Sequence, residues 1–152
     1  MTTSTSSRAT VLLFCERLSR RDFVGMAELV TSDATWWVIG RSDYASYGGL
    51  HRVTDVLQII DSFLGALDEF TFTVDGSIAE CDQVAIEATS SGRKGTALYN
   101  NVYLMRYQLC EGKIQSIREF MDAYEITAYL EQLSVHSSDA FDHLNSGDKA
   151  RG

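Results

Sequence analysis

Strand patterns separated by turn residues fill the second half of the sequence. Apolar and polar residues alternate in Phe70–Val74, and three more β-rich segments follow, Gln83–Thr89, Leu98–Leu109 and Lys113–Met121. Only Glu111 and Gly112 separate the last two segments, which predicts an antiparallel hairpin. A doubly wound parallel fold needs a helix after each strand, so this uninterrupted series of strands excludes that class.

Helical patterns occupy the first half. Apolar residues at helical spacing predict helices over residues 8–19, 23–30 and 52–67, with Asp22 as the N-cap of the second. The aromatic and β-branched segment 35–39 predicts one early strand, and Thr31, Ser32 and Asp33 before it predict a turn. The order of elements predicts an α+β fold.

One domain over residues 8–133 accounts for these elements. A glycine-rich loop, residues 40–49, precedes the third helix, the segment SSGRKG reads as a loop between strands, and Ile126–Leu133 predicts a short closing helix. Residues 1–7 and 134–152 are polar, and we expect them to be flexible tails.

The net charge and the cysteine pattern limit the classes of function that fit this sequence. The net charge of −8 with no basic patch argues against nucleic acid as a partner. No apolar run approaches the ~20 residues that a membrane span needs, and the N-terminus has no signal-peptide pattern. Cys15, Cys81 and Cys110 are isolated, which predicts reduced thiols and a cytoplasmic location. The three histidines are scattered, so we expect no metal site.

The hairpin segment Tyr99–Asp122, YNNVYLMRYQLCEGKIQSIREFMD, resembles the C-terminal hairpin of the SnoaL-like and ketosteroid-isomerase-like families of the nuclear transport factor 2-like superfamily. Its aromatic-rich strand, its EGKI turn and its REFMD ending carry the resemblance, which extends over residues 8–133. The resemblance implies a cone-shaped, curved antiparallel sheet wrapped around the N-terminal helices, with a small-molecule pocket at its open end. Function still has to be argued from the site.

The catalytic constellations of two related enzymes are incomplete here. Laid against ketosteroid isomerase, a worked example of pKa tuning, the phenol donor falls on Phe14 and the base falls on Val38, so that reaction is not expected. The protonated-acid donor of that enzyme falls on Tyr103. Against limonene epoxide hydrolase, positions of the acid–arginine–acid relay fall on Ile86 and Ala88, so the relay is absent.

The alignments give side-chain directions, and strand alternation extends them. The pocket predicted in this way is apolar, with Glu119, Tyr103 and Asn101 as its polar groups. Burial of Glu119 should raise its pKa and suit it to acid/base chemistry near neutral pH. The predicted catalytic residues are Glu119, Tyr103 and Asp122; the predicted substrate-binding residues are Asn101, Trp36, Val38, Phe14, Ile86, Ala88, Met105, Ile117, Met121 and His51.

Several of these residues have a structural alternative. A register slip of one residue would put Glu119 on the outer face, in an ion pair with Arg118 or Arg106. Asp122 suits the N-cap of the closing helix. Tyr103 and Asn101 could satisfy each other, and His51 could be a surface residue at the start of a helix.

Asp43, Tyr44 and Tyr47 in the glycine-rich loop would rim the mouth of the pocket. Loop residues of this kind often carry function.

The leading hypothesis is a cofactor-independent enzyme that acts on a hydrophobic, oxygenated small molecule by general acid/base chemistry. Isomerisation, cyclisation, dehydration and epoxide opening, reactions of secondary metabolism, are the types implied by the resemblance. The alternative is a non-catalytic module on the same fold that binds a small molecule or another protein. Val102 and Leu104 alternate with the pocket residues and are apolar, which predicts a homodimer through the outer face of the sheet.

Overall fold

The computed structural model describes residues 3–43 and 45–146 of the 152-residue chain. Four helices and six strands follow one another in an α+β arrangement. The elements are α1 (Ser4–Ser19), α2 (Phe23–Glu28), β1 (Val30–Val38), β2 (Gly49–Arg52), α3 (Val53–Gly65), β3 (Glu69–Glu80), β4 (Gln83–Lys94), β5 (Ala97–Cys110), β6 (Lys113–Met121) and α4 (Ala123–Ser146).

The six strands form one curved, unclosed sheet in the order β2-β1-β6-β5-β4-β3, which confirms the predicted fold class. Every neighbouring pair is antiparallel except β1 and β6, which run parallel, with Val38 opposite Glu119. The predicted antiparallel sheet thus contains one parallel pair. A long connection through α3 and the β3–β5 strands joins the two strands, so no tight turn fixes their relative direction.

The β5–β6 hairpin agrees closely with its prediction. Strand β6 has the predicted bounds, and Cys110 pairs with Lys113 across the two-residue turn. Glu111 and Gly112 have φ values of 50° and 81°, the left-handed conformation that the two central positions of a type I′ turn require. The twist of this turn matches that of the strands it joins.

Several strands are longer than predicted. Thr31, Ser32 and Asp33 lie within β1, beside a register shift against β6, instead of forming a turn. Most of the predicted SSGRKG loop continues β4, where Ser90 and Gly92 are buried on the inner face. Polar composition suggested a loop, but pairing on both sides keeps this segment extended.

The helices extend into both predicted tails. Helix α1 begins at Ser4, because the Thr3 side chain and Ser6 form a reciprocal capping box at its start. Helix α4 runs to Ser146 in place of the predicted helix over residues 126–133. The flexible tails expected over residues 1–7 and 134–152 are thus helical from Ser4 and as far as Ser146; the remaining residues of both tails, apart from Thr3, lie outside the described residues.

The core lies between the inner face of the sheet and the helices. Phe14 of α1 packs against Trp36 of β1 and Tyr107 of β5, and all three side chains are almost completely buried. Trp37 points to the opposite face and packs against Phe120 with the Arg118 guanidinium above its ring. Among the described residues, no helix is long and apolar enough to cross a membrane.

Candidate active site

A cavity of about 180 Å³ remains between the sheet and the helices. Its wall is almost entirely apolar and aromatic, as the sequence predicted. The lining residues are Phe14, Cys15, Leu18, Trp36, Val38, Tyr47, Val56, Ile59, Ile60, Phe63, Leu64, Phe70, Phe72, Tyr99, Tyr103, Met105, Tyr107, Glu119, Met121 and Ile126.

Glu119 is the carboxyl group of this cavity. It lies on the inner face of β6, opposite Met105, and only 9% of it is exposed. Its Oε2 accepts a hydrogen bond of 2.8 Å from Nε1 of Trp36. Its Oε1 accepts none from any described residue, so one carboxyl oxygen is left for a ligand. The outer-face alternative is wrong, because Glu119 makes no ion pair with a described residue and points inward.

Burial raises the pKa of Glu119 to about 7. Desolvation of the charged form is the larger cause, and the hydrogen bond from the Trp36 indole opposes it, because it stabilises the carboxylate. The carboxyl group is therefore poised to change its protonation state near neutral pH. A group of this kind can either take or give a proton.

Three hydroxyl groups form a chain in the wall beside Glu119. The Tyr103 hydroxyl lies 3.0 Å from the Ser90 hydroxyl and 3.0 Å from the Tyr99 hydroxyl. Asn101 Nδ2 donates to the Tyr99 oxygen at 3.1 Å. Burial raises the pKa of both tyrosines, so they remain neutral donors.

Counting protons shows what this chain can offer. Ser90, Tyr99 and Tyr103 carry one O–H proton each, and the two links between them use one proton each. These hydroxyls have no further acceptor among the described residues, so one proton is unused. Tyr103 lines the cavity at the centre of the chain and can present that proton to a ligand oxygen.

Asn101 does not line the cavity, contrary to its prediction as a substrate-binding residue. Its Oδ1 accepts from the backbone N–H groups of Val102 and Asp122, and its Nδ2 donates to the backbone carbonyl of Asp122 and to Tyr99. Nor does it pair with Tyr103, the alternative that the sequence left open. Asn101 instead ties the end of β6 to β5 and orients the Tyr99 hydroxyl.

Asp122 and His51 also lie away from the cavity wall. Asp122 Oδ1 accepts from the backbone N–H of Tyr124, which is the capping arrangement at the start of α4. Nε2 of His51 lies 3.0 Å from the carbonyl oxygen of Tyr47, so it fastens the glycine-rich loop. Asp122 thus has the capping role named as its alternative, whereas His51 lies half-buried in β2 and not at the surface start of a helix. Among the described residues of the loop, Tyr47 reaches the cavity.

Three predicted apolar contacts face inward but do not reach the cavity. Ile86, Ala88 and Ile117 are at most 1% exposed and are not among the residues that line the cavity. The predicted inward orientation of these side chains was correct, but the prediction that they line the cavity was wrong. Strand alternation gives the face on which a side chain lies and does not tell whether its neighbours separate it from the cavity. Phe14, Trp36, Val38, Met105 and Met121 do line the cavity as predicted, together with Tyr103 and Glu119.

The sequence also missed some lining residues. Tyr107 has the same inward parity on β5 as Tyr103, a signal that could have identified it. Cys15 and the aromatic side chains of β3, Phe70 and Phe72, reach the cavity through packing between distant elements. Asp43 forms an ion pair with Arg41 on the surface, and Tyr44 lies outside the described residues. In the described part of the chain, no group of three or more His, Cys, Asp or Glu side chains is placed to hold a metal ion.

Known structures with this fold include proteins of several descriptions. PrhC from Penicillium brasilianum superposes with a TM-score of 0.77 at 17% identity, covering 90% of this chain and 93% of that one. IdmH from Streptomyces antibioticus, described as a candidate polyketide cyclase, has a TM-score of 0.70 at 17% identity, with 82% and 98% covered. An M. tuberculosis epoxide hydrolase of the LEH-like type has a TM-score of 0.67 at 17% identity, with 90% and 98% covered.

The neighbours share the nuclear transport factor 2-like fold with this chain, which confirms the resemblance seen in the hairpin. No significant match is found among curated proteins. The sequence profile of the SnoaL-like domain matches residues 11–117, well over half of the 152 residues. The chain therefore belongs to the SnoaL-like domain family.

Proposed function

We propose that this protein is a cofactor-independent enzyme that moves a proton on a hydrophobic, oxygenated small molecule. The observation that carries the proposal is the Glu119 carboxyl group, which is enclosed in an apolar cavity, has one oxygen without a partner among the described residues and has a pKa of about 7. Enzymes raise carboxyl pKa values in this way to perform acid/base chemistry at neutral pH.

The roles follow from two of the polar groups that line the cavity. Glu119 transfers the proton, and the unused O–H proton of the Tyr103 chain polarises a carbonyl, hydroxyl or epoxide oxygen. The Ser90 and Tyr99 contacts fix the Tyr103 hydroxyl before the ligand arrives, so little reorganisation is needed. Trp36 holds the carboxyl plane through Oε2 and leaves Oε1 toward the ligand.

The reaction type we propose is isomerisation, cyclisation, dehydration or epoxide opening. Each of these reactions needs a proton moved, and none needs an electron acceptor. Epoxide opening also needs a nucleophile, which is a water molecule or a hydroxyl group of the substrate itself. The descriptions of the structural neighbours as a candidate polyketide cyclase and an epoxide hydrolase support this range. We place the activity in secondary metabolism and, because the cysteines are unpaired, in the reducing cytoplasm.

The test is a screen of small terpenoid and polyketide-type ketones, allylic alcohols and epoxides in D₂O, with product and deuterium incorporation followed by mass spectrometry. Glu119→Gln keeps the shape and the Trp36 hydrogen bond but cannot transfer the proton, so turnover should fall about 10²–10⁴-fold. Binding should stay within a few-fold. The wild-type pH profile should have a midpoint near 7, rising with pH for a base and falling for an acid.

Asp122→Asn is the matched control, since Asp122 is a carboxyl group at the end of the same strand segment that does not reach the cavity. It should retain full turnover. If Glu119→Gln instead turned over at the wild-type rate, the carboxyl group would have a structural and not a catalytic role.

A non-catalytic ligand-binding module is the second candidate. Most polar groups around the cavity are already bonded to one another, which favours binding of an apolar molecule. Ligands that bind in the screen without turnover or deuterium incorporation would support this alternative.

We also propose that two copies associate through the outer face of the sheet. Val102 and Leu104 are each 59% exposed on β5, and Phe120 lies beside them on β6. Arg118 and Arg106 lie opposite each other on this face, and Glu87 of β4 is opposite Leu104. A two-fold arrangement lets the arginines of one copy approach the glutamate of the other, while the apolar centre is buried.

A further inference from the structure

The cavity wall contains a further phenol, that of Tyr107, which the mechanism above does not use. Tyr107 lines the cavity and is 1% exposed. Its hydroxyl donates to Sδ of Met105 at 3.5 Å and lies 3.8 Å from Sγ of Cys15. The described residues provide it with no other hydrogen-bond partner.

Sulfur is a weak partner for a buried hydroxyl. Thioether sulfur is a poor acceptor and a neutral thiol is a poor donor, so the Tyr107 hydroxyl keeps most of its hydrogen-bonding capacity. Burial raises the pKa of Cys15 to about 11, so its thiol is neutral and does not compete as an anion. By contrast, the Tyr103 hydroxyl has two oxygen partners at 3.0 Å. A ligand oxygen would therefore improve the hydrogen bonding of the Tyr107 hydroxyl more than that of the Tyr103 hydroxyl.

The strand register places Tyr107 opposite to Tyr103 with respect to the carboxyl group. Met105 pairs directly with Glu119, and Tyr103 and Tyr107 are two residues before and after Met105 on the same inner face. Two residues advance a strand by about 6.6 Å, so the phenols lie on either side of the Glu119 row. The cavity thus has a hydroxyl, a carboxyl and a second hydroxyl in sequence along one strand pair.

From this juxtaposition we infer that Tyr107 binds a second oxygen of the ligand, so that the substrate class is a molecule with two oxygen functions on opposite sides of the reacting centre. The inference rests on the proposed function for the role of Glu119. One oxygen accepts from the Tyr103 chain, the other bonds to the Tyr107 hydroxyl in place of sulfur, and the atom that exchanges a proton with Glu119 lies between them. A molecule with a single oxygen would leave Tyr107 with its sulfur contacts.

Rigid ketones test this inference through binding alone. The probes are 1-tetralone and its 5-, 6- and 7-hydroxy derivatives, which carry the second oxygen at different distances and directions from the carbonyl group. Calorimetry with the wild-type protein should show at least one hydroxy derivative binding about 5-fold more tightly than 1-tetralone, the gain of one neutral hydrogen bond. The 5-, 6- and 7-methyl tetralones, similar in shape without the hydroxyl, should show no such gain.

Tyr107→Phe should abolish the gain from the ligand hydroxyl while leaving the affinity for 1-tetralone nearly unchanged. Tyr103→Phe should weaken the binding of 1-tetralone and preserve the gain in affinity that the ligand hydroxyl provides. Should Tyr107→Phe fail to fold, the comparison of hydroxy with methyl derivatives on the wild-type protein still decides. A gain that persists in folded Tyr107→Phe, equal binding of hydroxy and methyl derivatives, or no binding by any probe would overturn the inference.

These outcomes are separate from those of the proposed function. If Glu119→Gln turned over at the wild-type rate, the proposed proton-transfer role of Glu119 would be wrong, but the affinity gained from the ligand hydroxyl would not be affected. Loss of the gain with turnover still dependent on Glu119 would remove the role of Tyr107 alone.

Discussion

The two faces of strand β5 carry opposite kinds of side chain. On the inner face, Tyr99 and Asn101 are each 4% exposed, and their polar atoms are bonded within the wall. On the outer face, Val102 and Leu104 are apolar and each 59% exposed. Polar groups in an apolar interior and apolar groups in water both cost free energy, and chains retain such features where they bind something. We therefore propose that the inner face binds a ligand and that the outer face binds a second protein surface.

The largest expected effect concerns the buried carboxyl of the inner face. Its pKa is raised on folding, so the folded state is favoured when Glu119 is protonated, and this stability is lost as the pH rises toward and through 7. Between pH 5 and pH 8, wild-type protein should lose about 2–3 kcal/mol of unfolding free energy relative to Glu119→Gln. Urea titrations of both proteins across this range measure the difference. If the unfolding free energies of the two proteins changed in parallel with pH, the Glu119 carboxyl group would not be desolvated in the folded state.

The next effect compares two adjacent asparagines on opposite faces. Asn101→Ala leaves the backbone N–H of Asp122 without its described partner and removes one of the two hydrogen bonds made by the Asp122 carbonyl and by the Tyr99 hydroxyl, which should cost about 2 kcal/mol of stability. Asn100→Ala, at an exposed position on the outer face, should stay within about 0.5 kcal/mol. Chemical denaturation reports both values. Equal losses would mean that the inner network contributes no more to stability than the outer surface.

The smallest effect concerns the outer face. Leu104→Glu puts a charge at the centre of the proposed dimer contact and should raise its dissociation constant at least about 10-fold, which is ~1.4 kcal/mol. Val24→Glu is the control, because Val24 is 78% exposed on α2, away from the sheet. Sedimentation velocity at micromolar concentration measures both variants. A monomeric wild-type protein would contradict the proposal.

Local signals made the hairpin predictable. The bounds of β6 followed from alternation and from two turn residues, features that depend on neighbours within a few positions. The inward direction of Glu119 followed from that hairpin once the resemblance fixed its parity. The parallel contact between β1 and β6 was not predictable, because nothing within either strand specifies the direction of a partner about 80 residues away.

The burial depth and hydrogen-bond partners of the site's side chains were harder to predict than the face of the sheet on which they lie. A buried amide such as Asn101 can bond a ligand or the backbone, and the choice depends on where α4 begins. The sulfur partners of Tyr107 include Cys15, which comes from a helix 92 positions earlier in the chain. Such contacts arise only when distant elements pack, so a single sequence could place the groups on the correct face but could not assign their bonds.

The parallel pairing of β1 with β6 also has a consequence for the order of folding. Strands β3 to β6 are joined by short turns and can zip together in sequence, whereas β1 must close a loop of about 80 residues to reach β6. The Trp36–Glu119 hydrogen bond crosses this pair. We therefore expect the carboxyl group to be enclosed in the last stage of folding, after the meander has formed, and indole fluorescence to report that stage later than backbone circular dichroism.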